Sequence, residues 1–498
     1  MLYESTRGSL HKKTGAQAVI RGIAEDKGLY VPEQIPALPF APEAMIEKIK
    51  KGTAGYREVA QAVIGTFFDD FTEEEMGACI AGAYDKKFTA RDIVEMKEAG
   101  GAHFLELYHG KTAAFKDMAL SILPYLMTTA CKKEGETSKI CILTATSGDT
   151  GKAALEGFAD VPGTEIVVFY PCDGVSQVQE RQMITQEGDN THVFAIRGNF
   201  DDAQTGVKKI FSDDAFAAKL AARHVKLSSA NSINIGRLVP QVAYYVYSYL
   251  KLAADGVLAC GQPMNVVVPT GNFGNILAAY FAREMGVPIA KLICASNDNK
   301  VLYDFFKTGV YDKNRPFILT SSPSMDILIS SNLERLIYLS TGCDAEETKK
   351  RMEELSKDGK YSVTGEMRAR MADFVGGYAD QAANAAEIKR LYDETGYMID
   401  THTGVASCVY HNYVKETGDT KKTVIASTAS PYKFSRSVME AIFGSEEGKG
   451  EFELIDEMEK ASGVKIPQAI EEIRKAEIRH NRQCKPEEME KTVSEILQ

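Results

Sequence analysis

Short runs of β-branched residues alternate with helical segments through the middle of this chain. That alternation restricts the fold more than any other feature. Lys139–Thr146 (KICILTAT) predicts a buried strand, and Thr150–Asp160 (TGKAALEGFAD) predicts the helix after it. Glu165–Pro171 predicts a second strand followed by a helix from about Ser176, and His192–Gly198 a third followed by a helix through Asp201–Leu220. Asn265–Thr270 leads into a helix from Gly274, and Lys291–Ser296 and Thr423–Thr428 predict two further strands. Strands separated by helical crossovers form parallel sheets covered on both faces. The expected class is α/β, with parallel sheets flanked by helices.

A chain of 498 residues exceeds what one hydrophobic core supports, so two or three domains are expected. Residues 1–95 differ from the rest: Pro32, Pro36, Pro39 and Pro42 precede amphipathic segments at Tyr56–Phe68 and Thr72–Tyr84, which predicts a mostly helical N-terminal domain. Residues 96–225 are assigned to a smaller α/β domain that includes Lys116. Residues 226–498 are assigned to a larger α/β domain whose tail, from about Gly448, forms packed surface helices.

Charge and composition exclude several functions. With 58 Lys+Arg against 69 Asp+Glu, the net charge of -11 disfavours general binding to nucleic acid or to an anionic membrane. The most apolar stretch, Val242–Ala254, is too short to cross a bilayer and carries Tyr and Lys. The first residues, MLYESTRGSLHKKTG, lack the apolar centre of a signal peptide, so a cytoplasmic location is expected. The nine cysteines form no CxxC pair and the eight histidines no HExxH spacing, so neither a disulfide framework nor a metal site is expected. His402 and His411 are expected to be structural.

Three segments carry chemistry. In Pro269–Tyr280 (PTGNFGNILAAY) a strand, a glycine-flanked turn and an apolar helix aim unpaired N–H groups at one spot. Proteins hold phosphates that way, although a plain strand-to-helix turn has the same pattern. Its spacing is neither GxGxxG nor GxxxxGK[ST]. Thr144–Ala153 (TATSGDTGKA) is a second helix start at the carboxyl edge of a strand, where open α/β folds bind ligands. Ala153 stands in the Ser/Thr place of a P-loop, which disfavours a nucleoside triphosphate. In Leu107–Leu120 (LYHGKTAAFKDMAL), Lys116 precedes an apolar helix. Desolvation there would lower its pKa and free the amine for Schiff-base chemistry, but spacing alone does not single it out.

Together these segments resemble the threonine synthase family. HGKTAAFKD is similar to the family's lysine motif, TATSGDTG to its substrate-carboxylate loop and PTGNFGN to its cofactor-phosphate loop. The resemblance extends through YESTRG at Tyr3–Gly8, QAVIRGIAEDKGLYVP at Gln17–Pro32, NFDDAQ at Asn199–Gln204, NSINIGRLVPQ at Asn231–Gln241 and STASPYKFSRSV at Ser427–Val438. It implies a fold-type II pyridoxal-phosphate enzyme of the longer bacterial and fungal type, either monomer or homodimer. On this resemblance Lys116 is the catalytic residue and carries pyridoxal 5'-phosphate as a Schiff base. Gly271, Asn272, Phe273, Gly274 and Asn275 wrap the cofactor phosphate, and the Thr428 hydroxyl meets the pyridine nitrogen. Ser147, Gly148, Asp149 and Thr150 receive the substrate's α-carboxylate. Asn231, Ser232, Asn234 and Arg237 are the candidates for the substrate phosphate, since arginine suits bidentate phosphate binding.

The implied reaction converts O-phospho-L-homoserine and water into L-threonine and phosphate, with Lys116 as the general base. The sequence departs from the family pattern at Lys111, where Pro is common, at Asn275, where Asp is common, and at Ser430-Pro431-Tyr432, where His-Pro-Ala is common. These changes bear on loop detail and substrate preference. The nearest rival is a related phospho-lyase that eliminates phosphate from the same substrate without forming threonine.

Overall fold

The computed structural model describes every residue except Lys86, Arg91, Ser147, Asp173, Gly174, Ser445, Glu446, Glu447 and Gln498. The first segment pairs β1 (Tyr3–Ser5) with β2 (Tyr30–Pro32) antiparallel and is otherwise helical. Its helix Tyr56–Phe67 buries Tyr56, Val59, Ala60, Val63, Ile64 and Phe67, the spacing of one helical face. Glu73–Ala83 starts at a capping box in which Thr72 Oγ1 accepts the Glu75 N–H. Tyr56–Phe67 packs on Ile235–Ala254, a twenty-residue helix buried almost all round, where Tyr56 meets Tyr247 edge-on at 5.6 Å, and Glu73–Ala83 packs on Tyr56–Phe67. No helix among the described residues is long and apolar enough to cross a membrane.

After this segment come β3 (Glu95–Ala99) and β4 (Ala102–Glu106), an antiparallel hairpin. Its two-residue turn, Gly100-Gly101, has φ of 52° and 80°, which glycine adopts without strain. Then follow β5 (Lys139–Ala145), β6 (Thr164–Pro171), β7 (Thr191–Ile196), β8 (Val225–Ser228), β9 (Met264–Pro269), β10 (Ile289–Ser296) and the short antiparallel pair β11 (Val310–Asp312) and β12 (Lys360–Ser362). The last strands are β13 (Phe374–Tyr378), β14 (Thr423–Ser427) and β15 (Arg482–Cys484).

Two main sheets result. The larger has the order β13-β10-β9-β14-β4-β3, parallel except for β3; the smaller has the order β15-β7-β6-β5-β8 and is wholly parallel. Central strands such as β9 are buried at every residue, as covered parallel sheets require. This is the expected α/β architecture with a helical N-terminal region. Three strands cross between the spans 96–225 and 226–498: β3 and β4, at the start of the first, belong to the larger sheet, and β15, near the end of the second, forms an edge of the smaller one. The segment Asp201–Leu220 forms two helices, Phe200–Phe211 and Asp214–Ala221, because Asp213 caps the second with its side chain on the Phe216 N–H.

Candidate active site

The carboxyl ends of both sheets converge on Lys116. Beyond β4 the chain makes a tight loop in which Thr112 donates N–H and Oγ1–H to the two carboxylate oxygens of Asp117, at 2.8 and 2.6 Å. The Phe115 N–H donates to the Thr428 carbonyl at 2.8 Å, joining this loop to the residue after β14. Lys116 is thus held at the start of the short helix Asp117–Leu120. Its Nζ lies 3.3 Å from Asp149 Oδ2 and 3.2 Å from Ser324 Oγ. Burial is the main influence on the amine and lowers its pKa; Asp149 opposes this, while the positive charges of Lys433 and Arg237 reinforce it.

Asp149 opens the helix Asp149–Phe158 after β5. The turn before it is held by Thr146 Oγ1, which accepts the N–H groups of Gly148 and Gly151, both at 3.0 Å. Gly148 has φ 142°, and a Cβ there would stand 2.4 Å from Gln179 Nε2. Gln179 Nε2 also donates to Asp149 Oδ1 at 3.0 Å. Burial alone would raise the Asp149 pKa, but Lys433 and Lys116 outweigh it and hold the carboxyl well below its ordinary range. Thr150 follows in the first turn of the helix. Ser147 lies outside the described residues.

The loop after β9 approaches from the other sheet. Gly271 is pressed against a neighbouring backbone, since a Cβ there would stand 2.5 Å from the Ser324 carbonyl oxygen. Phe273 stands at the N-cap position of the eleven-residue helix Gly274–Glu284 in the left-handed conformation, φ 66°, and no side chain caps the helix's first N–H groups. The Asn272 carbonyl accepts from both N–H and Nδ2 of Asn332, at 3.0 and 3.1 Å. Asn275 Oδ1 accepts the Tyr245 hydroxyl, whereas its buried Nδ2 has no partner among the described residues.

The fourth wall is the turn into Ile235–Ala254. Arg237 is 4% exposed; its Nη1 donates to the Ala230 carbonyl at 2.8 Å and its Nε has no partner. Burial with no carboxylate beside it pushes the Arg237 pKa down to about 10. Asn234 uses its amide within the protein: Oδ1 accepts the Gly236 N–H at 2.8 Å, and Nδ2 donates to the Val19 carbonyl at 2.9 Å. Asn231 is exposed and Ser232 half-buried, its carbonyl bonded by Asn332 Nδ2 at 3.3 Å. Lys111, at a departure from the family pattern, pairs with Glu472 at 2.7 Å, away from this cluster.

Four participants were not among the predicted residues. Lys433 and Gln179 bind Asp149, Ser324 binds both Lys116 and Asp149, and Asn332 ties together the turns at 232 and 272. Ser324 is placed through its backbone, whose N–H donates to His402 Nε2 at 3.2 Å; His402 Nδ1 in turn meets the fully buried Asp400 at 2.7 Å. His402, held by Asp400, thereby aims Ser324.

Residues 2–84 match the family model described as threonine synthase N terminus, and residues 97–429 match the model described as pyridoxal-phosphate dependent enzyme. The threonine synthase of Schizosaccharomyces pombe is 36% identical over 467 residues, 88% of each chain. This chain belongs to the threonine synthase family of pyridoxal-phosphate-dependent enzymes. A crystal structure of the family's Brucella melitensis member, with pyridoxal phosphate bound, superposes with a TM-score of 0.88 at 33% identity over all of both chains. Threonine synthase-like 1 of Macaca fascicularis is 38% identical over 438 residues, which cover 86% of this chain and 58% of that one; the chain spans under two thirds of that relative's length. The site fits the family's cofactor. It offers a buried amine of lowered pKa, a helix start with no side-chain cap that carries at Asn275 a buried amide nitrogen unpartnered among the described residues, and a buried arginine that no carboxylate among them shifts.

Proposed function

We propose that this chain is a threonine synthase, a lyase that converts O-phospho-L-homoserine and water into L-threonine and inorganic phosphate. The observation that carries the proposal is the pairing of chemistries in one buried cluster. A buried, easily deprotonated Lys116 amine faces a wall where the buried Arg237 guanidinium has no counter-charge. A dianionic phosphate monoester supplies the missing charge, and an amino-acid substrate gives the amine its work.

Lys116 and the turn Gly271–Asn275 would hold pyridoxal phosphate, with the phosphate on the N–H groups that open Gly274–Glu284 and Thr428 directed at the ring nitrogen. When bound, the cofactor supplies an electron sink for negative charge at the substrate α-carbon. A hydroxyl partner at the ring nitrogen donates a hydrogen bond without holding the ring protonated. Gly148, Asp149 and Thr150, with Ser147 before them in sequence, would receive the α-carboxylate at the amino end of Asp149–Phe158. Arg237, with Asn231 and Ser232, would hold the substrate phosphate, and Asn234 would brace that turn.

Lys116 Nζ would take the α-proton and then a β-proton, which allows phosphate to leave from the γ-carbon. Water then adds its oxygen at the β-carbon, and a proton returns to the γ-carbon and to the α-carbon. Asp149 and Ser324 hold Nζ in place between transfers.

Incubation with O-phospho-L-homoserine, with threonine and phosphate both assayed, tests the proposal. Equal amounts of the two support it. Phosphate released with a keto acid in place of threonine assigns the chain to the phospho-lyase alternative.

A further inference from the structure

Lys433 is a lysine where none is expected. It lies in the single turn Pro431–Phe434 after β14, its side chain fully enclosed. Its Nζ stands 2.8 Å from Asp149 Oδ1 and donates to the Thr112 carbonyl at 2.9 Å. Moving an ammonium group out of water costs several kcal/mol unless it is paired and fully hydrogen-bonded, so a methionine of similar length would fill this space more cheaply.

The partner explains the charge. Asp149 is shared between two ammonium groups: Oδ1 faces Lys433, while Oδ2 faces Lys116 and Ser324. Without Lys433, a buried Asp149 would form a one-to-one ion pair with Lys116, holding its proton. Once Lys116 gave up that proton, Asp149 would bring an uncompensated negative charge to the turn assigned to an anionic carboxylate.

We propose that Lys433 is a positioning residue for Lys116: it fixes the outer oxygen of Asp149 and divides the charge of that carboxylate between two cations. The inference rests on the assignment of Lys116 as the cofactor-bearing base. The contacts of Lys433 run to Asp149 and the Thr112 carbonyl, so it acts on Lys116 through Asp149. The other groups facing this cluster are Arg237, Asp117, Glu156 and, beyond Ser324, His402. The electrostatics agree in sign, since Lys433 favours the neutral amine of Lys116 and the ionised form of Asp149.

The test uses the full-length chain freed of cofactor. The rate at which it captures pyridoxal phosphate, followed by the growth of visible absorbance, is measured against pH. Capture needs the neutral amine, so the midpoint tracks Lys116. Removing a nearby positive charge stabilises the protonated lysine, and Lys433→Met should move the midpoint up by about one pH unit. Asp149→Asn removes the opposing charge and should move it down. Lys433→Gln retains a donor for the Thr112 carbonyl but no charge, and should behave like Lys433→Met. A folded Lys433→Met protein with the wild-type midpoint overturns the proposal. So does a shift in Lys433→Met that Lys433→Gln abolishes, which would make Lys433 a fastener of the Thr112 loop. Failure of the wild-type chain to capture pyridoxal phosphate at any pH would instead overturn the assignment of Lys116.

Discussion

Asn332 grips the Asn272 carbonyl twice, with its backbone N–H at 3.0 Å and its Nδ2 at 3.1 Å, and the same Nδ2 reaches the Ser232 carbonyl at 3.3 Å. One fully buried amide therefore sets the distance between the turn assigned to the cofactor phosphate and the turn assigned to the substrate phosphate. Its Oδ1 also accepts from the buried Arg335. Asn332→Leu keeps the backbone N–H bond to the Asn272 carbonyl but takes the side-chain partner from the Ser232 carbonyl and from Arg335 Nη1, and each buried unsatisfied group costs about 1–3 kcal/mol. A lower denaturation midpoint is expected, together with weaker pyridoxal phosphate binding in a fluorescence titration. Unchanged affinity in the folded variant would separate Asn332 from the site.

Lys116→Ala is expected to bind pyridoxal phosphate through Gly271–Asn275 but to lose borohydride fixation of the cofactor. Exchange of the substrate α-proton with deuterated solvent should fall by about 10²–10⁴-fold. Exchange at the wild-type rate would mean that another group is the base.

Arg237→Met should move stability and function in opposite directions. Arg237 is buried without a carboxylate beside it, so replacing it with an apolar side chain removes a desolvation cost. Thermal denaturation should show a midpoint at or above that of the wild type, while KM for O-phospho-L-homoserine rises at least tenfold. A lower midpoint with unchanged KM would make Arg237 a structural residue.

Gly148→Ala places a Cβ at φ 142°, 2.4 Å from Gln179 Nε2. Strained backbone of this kind costs about 1–3 kcal/mol, and displacing Gln179 takes a hydrogen bond from Asp149. Weaker substrate binding is expected along with the lower stability. A variant with wild-type KM would show that the turn tolerates another geometry.

Burial raises the Asp117 carboxyl to about 6, although its hydrogen bonds from Thr112 oppose the shift. Because its folded value lies above the ordinary aspartate value of 3.8, its favourable contribution is complete below that pH and is lost as pH rises through about 6. Asp117→Asn cannot ionise. The stability of the wild type relative to this variant should therefore decline between pH 4 and pH 7, as read from urea midpoints at each end. A constant difference across that window would place the Asp117 titration elsewhere.

Most of the frame was legible in local pattern. The strands around Ile140, Val167 and Val266 are continuous apolar runs, and Thr72 and Ser176 announce their helices as capping-box residues. β13 was not legible, because FVGGY carries two glycines that weaken a strand pattern. They are required by packing: a Cβ on Gly377 would stand 2.4 Å from Val409 Cγ1. In the site, motif resemblance pointed to Lys116 and Asp149, which the fold brings to 3.3 Å. Lys433 stayed hidden because a lysine in Pro-Tyr-Lys-Phe has every local mark of a surface residue. Its burial depends on Asp149, far away in sequence, and on the Thr112 carbonyl.

The way β15 closes the smaller sheet bears on how the chain is made. β7 pairs with β6 on one side and with Arg482–Cys484 on the other. During vectorial synthesis its outer edge therefore waits for nearly three hundred further residues before a partner leaves the ribosome. An apolar strand with an open edge invites pairing with another nascent copy. Chains arrested short of residue 482 should accumulate in the insoluble fraction and draw chaperones, even though the segments assigned to catalysis have already been translated.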